Sequence, residues 1–532
     1  MDAASKEYAG SQDAVFAFLG RSSTHGGAEV RRCDTHAAAV FLAGERAFKV
    51  KRAVRFPFLD YSTLEKRKAA CAAELEVNRR FAPQIYRRIV PITREEDGSL
   101  SLGGNGEAVE WAVEMMRFDE SQTLDRIADR GGLEAALPGK LAKAVAAMHS
   151  RAEPVDAEPW LAALESYIGQ NTVAFREAQT LFRGESLFPG QDISSLDQRS
   201  RTALAGLRPL LLARGQRGLV RRCHGDLHLG NIALLDGEPV AFDAIEFDPL
   251  VASGDVLYDL AFLLMDLVER GLPEAANGVL NGYFAAARRD EDCEGLAALP
   301  LFMSLRAAIR AKVTAARLSQ SADHSRTPIV RAARRYFDFA LAMLASETPL
   351  VVCTGGLSGT GKSVLARGLA PVLGQPPGAL VLRSDAERKA MFGLGETERL
   401  PAEAYRSEIS AKLYAALYDK AGRIARAGYS VIVDAVFAKP SERAAIEAAA
   451  QEAGAKFLGL FLTADLATRL RRIGGRGPDA SDADAAVAHM QEDFAIGDLN
   501  WTSVDASGTP DATLARARAL LPGDSPDEGP GA

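Results

Sequence analysis

Residues 221–249 read "RRCHGDLHLGNIALLDGEPVAFDAIEFDP". A His-Gly-Asp occupies 224–226, Asn231 follows five residues past that aspartate, and Asp243 stands behind the apolar strand "PVAF". Two carboxylates and a carboxamide in one short stretch suit phosphoryl transfer. That reaction asks little covalent chemistry of a protein. It needs a divalent cation on the phosphates, a positive side chain beside them, and a group that orients the attacking hydroxyl. Asp226 can accept the hydroxyl proton. Asn231 can offer its side-chain carbonyl to magnesium, a hard, oxygen-seeking ion. Asp243, projecting from a strand end, supplies a second metal ligand.

Upstream, "HAAAVFLAGERAFKVKR" reads as two apolar strands around a turn at Gly44. A helix is predicted from Ser62, its N-cap, with Glu65 three residues on, and Pro83 ends it. "IYRRIVPI" and "EAVEWAVEMMRF" read as further strands around "EEDGS". Residues 1–118 therefore form a small, strand-rich lobe. Past Asp119 the periodicity turns helical, as in "LPGKLAKAVAAMHSRAE" and "SRTALAGLRPLLLARG". Two short strands, "IALL" and "PVAFDA", interrupt it, and helices dominate again from Gly254 to about Ala345. In that lobe, His149 reads as structural, and Asp255 and Asp259 read as groups that cap and brace the helix after the second aspartate loop.

"HGDLHLGNI" followed by "AFDAIEFD" resembles the aminoglycoside phosphotransferase and choline kinase-like family, a branch of the protein-kinase-like fold. The resemblance implies Asp226 as catalytic base, Asn231 and Asp243 as magnesium ligands, and His224 as a scaffold residue. It also implies an ATP-binding lysine on the third strand, paired with a helix glutamate. Strand alternation puts Lys49 and Lys51 on one face, so periodicity leaves the two open; the resemblance favours Lys49. It likewise favours Glu74 over Glu76, and sets "EMMRF" at 114–118 where an adenine-gripping hinge would lie. The chain departs from the protein-kinase pattern in one respect: "DTHAAAV" stands where a G-x-G-x-x-G loop would be.

Downstream, "GLSGTGKS" at 356–363 satisfies G-x-x-x-x-G-K-[ST] in full, after the strand-like "LVVCT" and before the helical "SVLARGLAPVL". That context is what the phosphate-binding loop requires. Gly356, Ser358, Gly359, Thr360 and Gly361 form the loop, Lys362 reaches the β- and γ-phosphates, and Ser363 ligates magnesium. Asp434, ending "SVIVDA", is the natural acidic partner of the metal. Buried-type strands alternating with helices predict a parallel sheet covered on both faces. "VLRSDAERKAMFG" and the Arg-rich "TRLRRIGGRGPDASDADAAVAHMQ" together resemble the P-loop kinase group that includes gluconate kinase, zeta-toxin-like and polynucleotide kinase-like proteins. The resemblance implies Asp385 as the residue orienting the acceptor hydroxyl, Arg388 as a substrate or phosphate clamp, and Arg472 and Arg476 as lid arginines.

The expected organisation is a kinase-like α+β domain over 1–347, with its helical lobe over about 119–347. An α/β P-loop kinase domain follows over 348–520, then a disordered tail over 521–532, "LPGDSPDEGPGA". The chain has 532 residues, a net charge of -7 and five cysteines without a CxxC pair. An acidic balance disfavours broad nucleic-acid binding, and scattered cysteines fit a reducing cytoplasm. No stretch reaches the ~20 apolar residues of a membrane span. The expectation is a bifunctional, ATP- and magnesium-dependent phosphotransferase acting on small hydroxylated molecules. Two alternatives stand beside it: one domain senses ATP and regulates the other, or the C-terminal domain is a polynucleotide 5′-hydroxyl kinase.

Overall fold

The computed structural model describes residues 12–56, 59–181, 187–320, 323–395, 397–475 and 480–522. The chain divides into two compact units, one of Met1–Tyr167 with Leu211–Asp266, the other of Ile168–Leu210 with Leu267–Ala532.

In the first unit the strands β1 (Val30–Asp34), β2 (Ala38–Ala43) and β3 (Arg46–Lys51) run antiparallel as successive hairpins. A two-residue ribbon, β4 (Arg55–Phe56) with β5 (Leu59–Asp60), leads to the helix Leu64–Arg79. Then β6 (Tyr86–Arg94), β7 (Leu100–Leu102) and β8 (Glu107–Met116) complete a sheet in the order β1-β2-β3-β8-β6-β7. Alternation along β2 and β3 puts Phe41, Phe48 and Val50 in one core with Ile92 and Ala112. Cys71 of the helix packs with Tyr86 and Val113 in another. The helix is capped by Thr63, whose hydroxyl accepts from Lys66 N at 3.3 Å, and not by Ser62. Asp60 holds both the amide and the hydroxyl of Ser62, which takes that residue out of capping.

The helical part of this unit carries four short strands. β9 (Val220–Arg222) pairs with β12 (Ser253–Asp255), and β10 (Ile232–Leu235) pairs with β11 (Glu238–Ala241). The His-Gly-Asp loop leaves β9 and enters β10. The Asp243 loop leaves β11 and enters β12, which opens the buried helix Val256–Glu269.

The second unit is built on a wholly parallel sheet, as the alternating pattern predicts. Its strands are β13 (Leu350–Gly355), β14 (Leu380–Arg383), β15 (Val431–Asp434), β16 (Lys456–Thr463) and β17 (Thr502–Asp505), ordered β14-β15-β13-β16-β17. Val352, Ile432, Leu460 and Val504 of adjacent strands form the core with Leu365 and Leu369 of the helix Lys362–Leu369. The helices Pro273–Ala287, Leu299–Ala316 and Asp323–Ala342 belong to this unit, so the helical stretch over 119–347 is shared between the two units. A physical reason lies at β14. It is one of the sheet's two edge strands, and an edge leaves backbone groups unpaired. Asn281 Oδ1 accepts from Val381 N at 2.7 Å, and Asn277 Nδ2 donates to the carbonyls of Pro377 and Ala379 at 3.1 and 3.0 Å. Among the described residues no helix is long and apolar enough to cross a membrane.

Candidate phosphoryl-transfer sites

Lys49 and Lys51 do share a face of β3, and both reach the same partner. Glu74 lies fully buried on the helix Leu64–Arg79, with Oε1 2.8 Å from Lys49 Nζ and Oε2 2.6 Å from Lys51 Nζ. Lys49 Nζ also lies 2.6 Å from Asp243 Oδ1, whereas Lys51 pairs with Glu246, a residue the sequence reading did not single out. Burial pulls each ammonium down. Asp243 and Glu74 outweigh it for Lys49, as Glu74 and Glu246 do for Lys51, so both are held well above the ordinary lysine value. Burial pushes Glu74 up, but the two lysines win and hold it below the usual carboxylate range. Glu76 instead points outward and pairs with Arg80 at 3.0 Å. An exposed pair four residues apart on a helix is worth about 0.3–0.5 kcal/mol. Removing one partner of a buried pair costs about 3–5 kcal/mol. The weight of the arrangement therefore falls on Glu74.

Asp226 is held by its neighbour. Asn231 Nδ2 donates to Asp226 Oδ2 at 2.9 Å and to its carbonyl at 3.0 Å. With its nitrogen so engaged, the Asn231 carboxamide offers its oxygen as an acceptor. The buried His224 joins the two acidic loops. Its Nδ1 accepts from Asp226 N at 3.4 Å and its Nε2 meets Phe242 O, next to Asp243, at 3.0 Å. One nitrogen accepting and the other donating is the neutral ring. Burial favours that form and pushes His224 below its ordinary value, against the pull of Asp259 and Asp226.

Asp243 sits at φ 61, in the left-handed region that aspartate tolerates better than most residues. Its loop is clamped there. Asp243 N donates to Tyr86 Oη at 3.1 Å, and Asn78 pairs with both N and O of Ala244 at 2.8 and 3.2 Å.

Asp259 does something other than brace its own helix. It accepts from Gly225 N at 2.9 Å, from His224 N at 3.3 Å and from His149 Nε2 at 3.1 Å, so it holds the His-Gly-Asp turn itself. Asp266, two turns on, accepts from Leu229 N at 3.0 Å. Asp255 takes the capping role, accepting from Leu257 N at 2.9 Å while bound to the buried Arg214 at 2.6 and 2.8 Å. Where a glycine-rich loop would cover phosphates, β1 and β2 join through a tight turn, closed by Ala38 N donating to Thr35 Oγ1 at 3.0 Å.

In the second unit the glycine loop links β13 to the helix Lys362–Leu369. A Cβ on Gly356 would stand 2.5 Å from Leu462 O, and one on Gly359 2.7 Å from Arg469 O. Only glycine lets the backbone lie that close, with φ of 132 and 85 respectively. Thr360 Oγ1 donates to Leu357 O at 2.8 Å and Lys362 Nζ to the same carbonyl at 3.1 Å. Ser363 Oγ bonds Asp434 at the end of β15, and Arg383 Nε lies 3.7 Å from that carboxylate. Burial pushes the Asp434 carboxyl up, opposed by Lys362, Ser363 and Arg383. The loop opens on a cleft of about 1690 Å³ that Lys362, Asp434, Asp385 and Tyr405 help to line.

The arginines are placed differently from one another. Arg388 lines the cleft but spends its guanidinium on Ala404 O at 2.6 Å and Ser410 Oγ at 3.1 Å, above the Tyr405 ring. Arg472 donates to Thr360 O at 3.3 Å and to the carbonyls of Ala506 and Gly508 at 2.7 Å each. Arg476 lies outside the described residues, as do 523–532 of the expected tail. Arg469 was missed. It is buried and donates to Ser358 O at 2.8 Å and to Ala488 O at 3.2 Å. Its spacing of three from Arg472 puts both on one helix face, which was the available signal. Gln491 Oε1 accepts from Ser358 N at 2.7 Å and was missed too.

Residues 39–295 match the family described as phosphotransferase enzyme family, and residues 351–495 match the AAA domain. Uncharacterized protein Rv2004c of Mycobacterium tuberculosis is 30% identical over 495 residues, 91% of this chain and 94% of that protein. The chain belongs to this family of fused phosphotransferase and P-loop proteins. Uncharacterized protein Mb2027c of Mycobacterium bovis matches to the same extent. Among solved structures, a choline/ethanolamine kinase family protein from Mesorhizobium loti is similar at 14% identity and TM-score 0.36, over 63% of this chain and 99% of that one. A gluconokinase from Sinorhizobium meliloti is similar at 18% identity and TM-score 0.25, over 32% of this chain and 91% of that one. The chain is a phosphotransferase-class enzyme that joins a phosphotransferase-family domain to a P-loop domain of the AAA type.

Proposed function

We propose that each of the two sites binds ATP with magnesium and transfers the γ-phosphate to a hydroxyl of a small molecule. The observation that carries this reading is the joined pair of contacts in the first unit. Lys49 bridges Glu74 and Asp243, and Asn231 holds Asp226. A cation, a metal-binding carboxylate and an oriented base are the parts that phosphoryl transfer asks of a protein. In the second unit the support is the glycine cradle that a Cβ would fill, with Ser363 bonded to Asp434 beside it.

The residues fit the implied groups. Asn231 and Asp243 in one site, and Ser363 and Asp434 in the other, are oxygen donors of the kind magnesium takes. Bound magnesium would neutralise charge on the phosphates. Lys49, held on Glu74, and Lys362 would take phosphate oxygens. Asp226 would accept the proton of the acceptor hydroxyl in the first site, and Asp385 would orient the acceptor in the second. Arg388, committed to Ala404 and Ser410, would shape the acceptor wall by holding it, and Arg472 would hold the phosphate loop through Thr360.

The test is a screen of hydroxylated metabolites with labelled ATP on the full chain and on Asp226→Asn and Lys362→Ala. One product lost in each variant supports two kinase centres. A product set unchanged by Asp226→Asn would sink the first, and label passing to a 5′-hydroxyl oligonucleotide in the Lys362-dependent reaction would replace the small-molecule acceptor of the second.

A further inference from the structure

Lys51 and Glu246 have no role in the reading above, yet they are the more deeply buried half of its ion-pair cluster. Their side chains are 4% and 7% exposed, against 45% for Asp243. The five groups form one chain of contacts, Asp243–Lys49–Glu74–Lys51–Glu246. Its two ends, Asp243 and Glu246, stand three residues apart on one loop. Its middle is a helix carboxylate, and its two cations alternate along β3. Tyr61 closes the far end, donating its hydroxyl to Glu246 Oε1 at 3.1 Å with its ring 5.4 Å from Lys51 Nζ.

The exposed end and the sealed end face different demands. Asp243 and Lys49 neutralise each other at 2.6 Å. If Asp243 serves a metal and Lys49 serves phosphate, that contact is given up when nucleotide arrives. Glu74 then loses none of its hold on Oε2, because Lys51 is tied there and to Glu246, away from the ligand. The loop is likewise still pinned at Glu246 when Asp243 changes partner. We propose that Lys51 and Glu246 are positioning residues of the first site, a sealed second ion pair that keeps Glu74 and the Asp243 loop in place while Lys49 and Asp243 part to take phosphate and metal. The inference rests on the reading of Lys49, Glu74 and Asp243 as the nucleotide site.

The test uses the full chain carrying Lys362→Ala, which silences the second site, and reads the binding of ADP as a function of magnesium. Removing one charge alone would strand the other in the interior, so the variant is Lys51→Met with Glu246→Leu together. Thermal unfolding reports its fold. Supporting partners behind a metal ligand are worth about 10–100-fold in metal affinity, so half-saturation is expected to need about ten-fold more magnesium or above, in a protein that still unfolds cooperatively. A folded double variant with the parent's magnesium dependence overturns the inference. If the double variant does not fold, Lys51→Arg keeps the cation but alters its reach, and the same two outcomes apply to it. A parent that binds no magnesium-ADP would instead refute the nucleotide-site reading itself.

Discussion

Asn231 holds one oxygen of Asp226 and Lys49 holds one oxygen of Asp243, and the proposed roles of the two aspartates differ as those contacts do. Asp226→Asn keeps the shape and the hydrogen-bonding reach but removes the carboxylate proposed as the base. General-base catalysis contributes about 10²–10⁴-fold, so turnover at the first site is expected to fall by about that factor with magnesium-ADP affinity nearly unchanged. Asp243→Ala removes an oxygen proposed to bind the metal and leaves Lys49 on Glu74 alone, so it should weaken magnesium-ADP binding. Titration calorimetry on both variants, in the Lys362→Ala background, decides the assignment; equal loss of affinity in the two would contradict it. Much of this site was legible because each residue type has few other reasons to recur at that spacing. Glu246 was not legible, since an acidic residue after "AFDAI" looks like a solvated loop until the fold brings Lys51 to it. The tie between Lys49 and Lys51 has a physical cause: period-two alternation gives both the same face, and only tertiary contacts with Asp243 and Glu246 distinguish them.

At the scale of elements, the buried helix Val256–Glu269 holds the His-Gly-Asp turn through Asp259, and His224 ties that turn to the Asp243 loop. The buried ring gives this tie an expected pH dependence. Burial depresses the folded-state value of His224 below its ordinary one, which is about 6.5. Below that pH the unfolded chain takes up a proton that the folded chain resists, so stability is lost as pH falls and is full above it. The thermal midpoint of the full chain's first transition should drop between about pH 7 and pH 5 more steeply than in His224→Gln, whose amide can donate and accept but does not titrate in that range. Identical slopes in the two proteins would show that His224 is not the group responsible. The phosphate loop was readable as an element because strand, glycine turn and helix are consecutive. The arginines of the helix Leu466–Gly474 were not, since an arginine run reads as a mobile charged face while Arg469 and Arg472 in fact bond backbone carbonyls. Nothing in composition tells a guanidinium that meets solvent from one that satisfies a buried loop.

At the scale of the molecule, the motifs pointed to a phosphotransferase-family fold and a P-loop fold, but the compact units do not follow the chain order that a boundary near Glu347 supposes. The helix Pro273–Ala287 caps the edge strand β14 through Asn277 and Asn281, and Asn277 is buried there. Further out, Glu294 holds Arg423 with its two oxygens at 2.5 and 3.0 Å, and Lys420 lies 3.0 Å from Asp290 and 2.7 Å from Glu387. Glu387 shares the helix Ser384–Met391 with Asp385, which lines the cleft. A fragment beginning at residue 348 would leave Val381 N and the Ala379 carbonyl without these partners and would bare an edge strand able to pair with another copy. The full chain keeps them, with the segment Ile168–Leu210 that belongs to the same unit. Each lost charge-assisted or buried bond is worth about 1–3 kcal/mol, and domain stabilities are only about 5–15 kcal/mol, so losing several together is a large share. The expected outcome is that the 348–522 fragment unfolds at lower temperature than the P-loop unit of the full chain and self-associates, and that Asn281→Ala in the full chain moves that unit's transition part of the way. Sedimentation velocity and thermal unfolding of the three proteins measure this. Equal midpoints with the fragment monomeric would mean that the parallel sheet folds without the helices and that a cut near Glu347 leaves an autonomous P-loop domain.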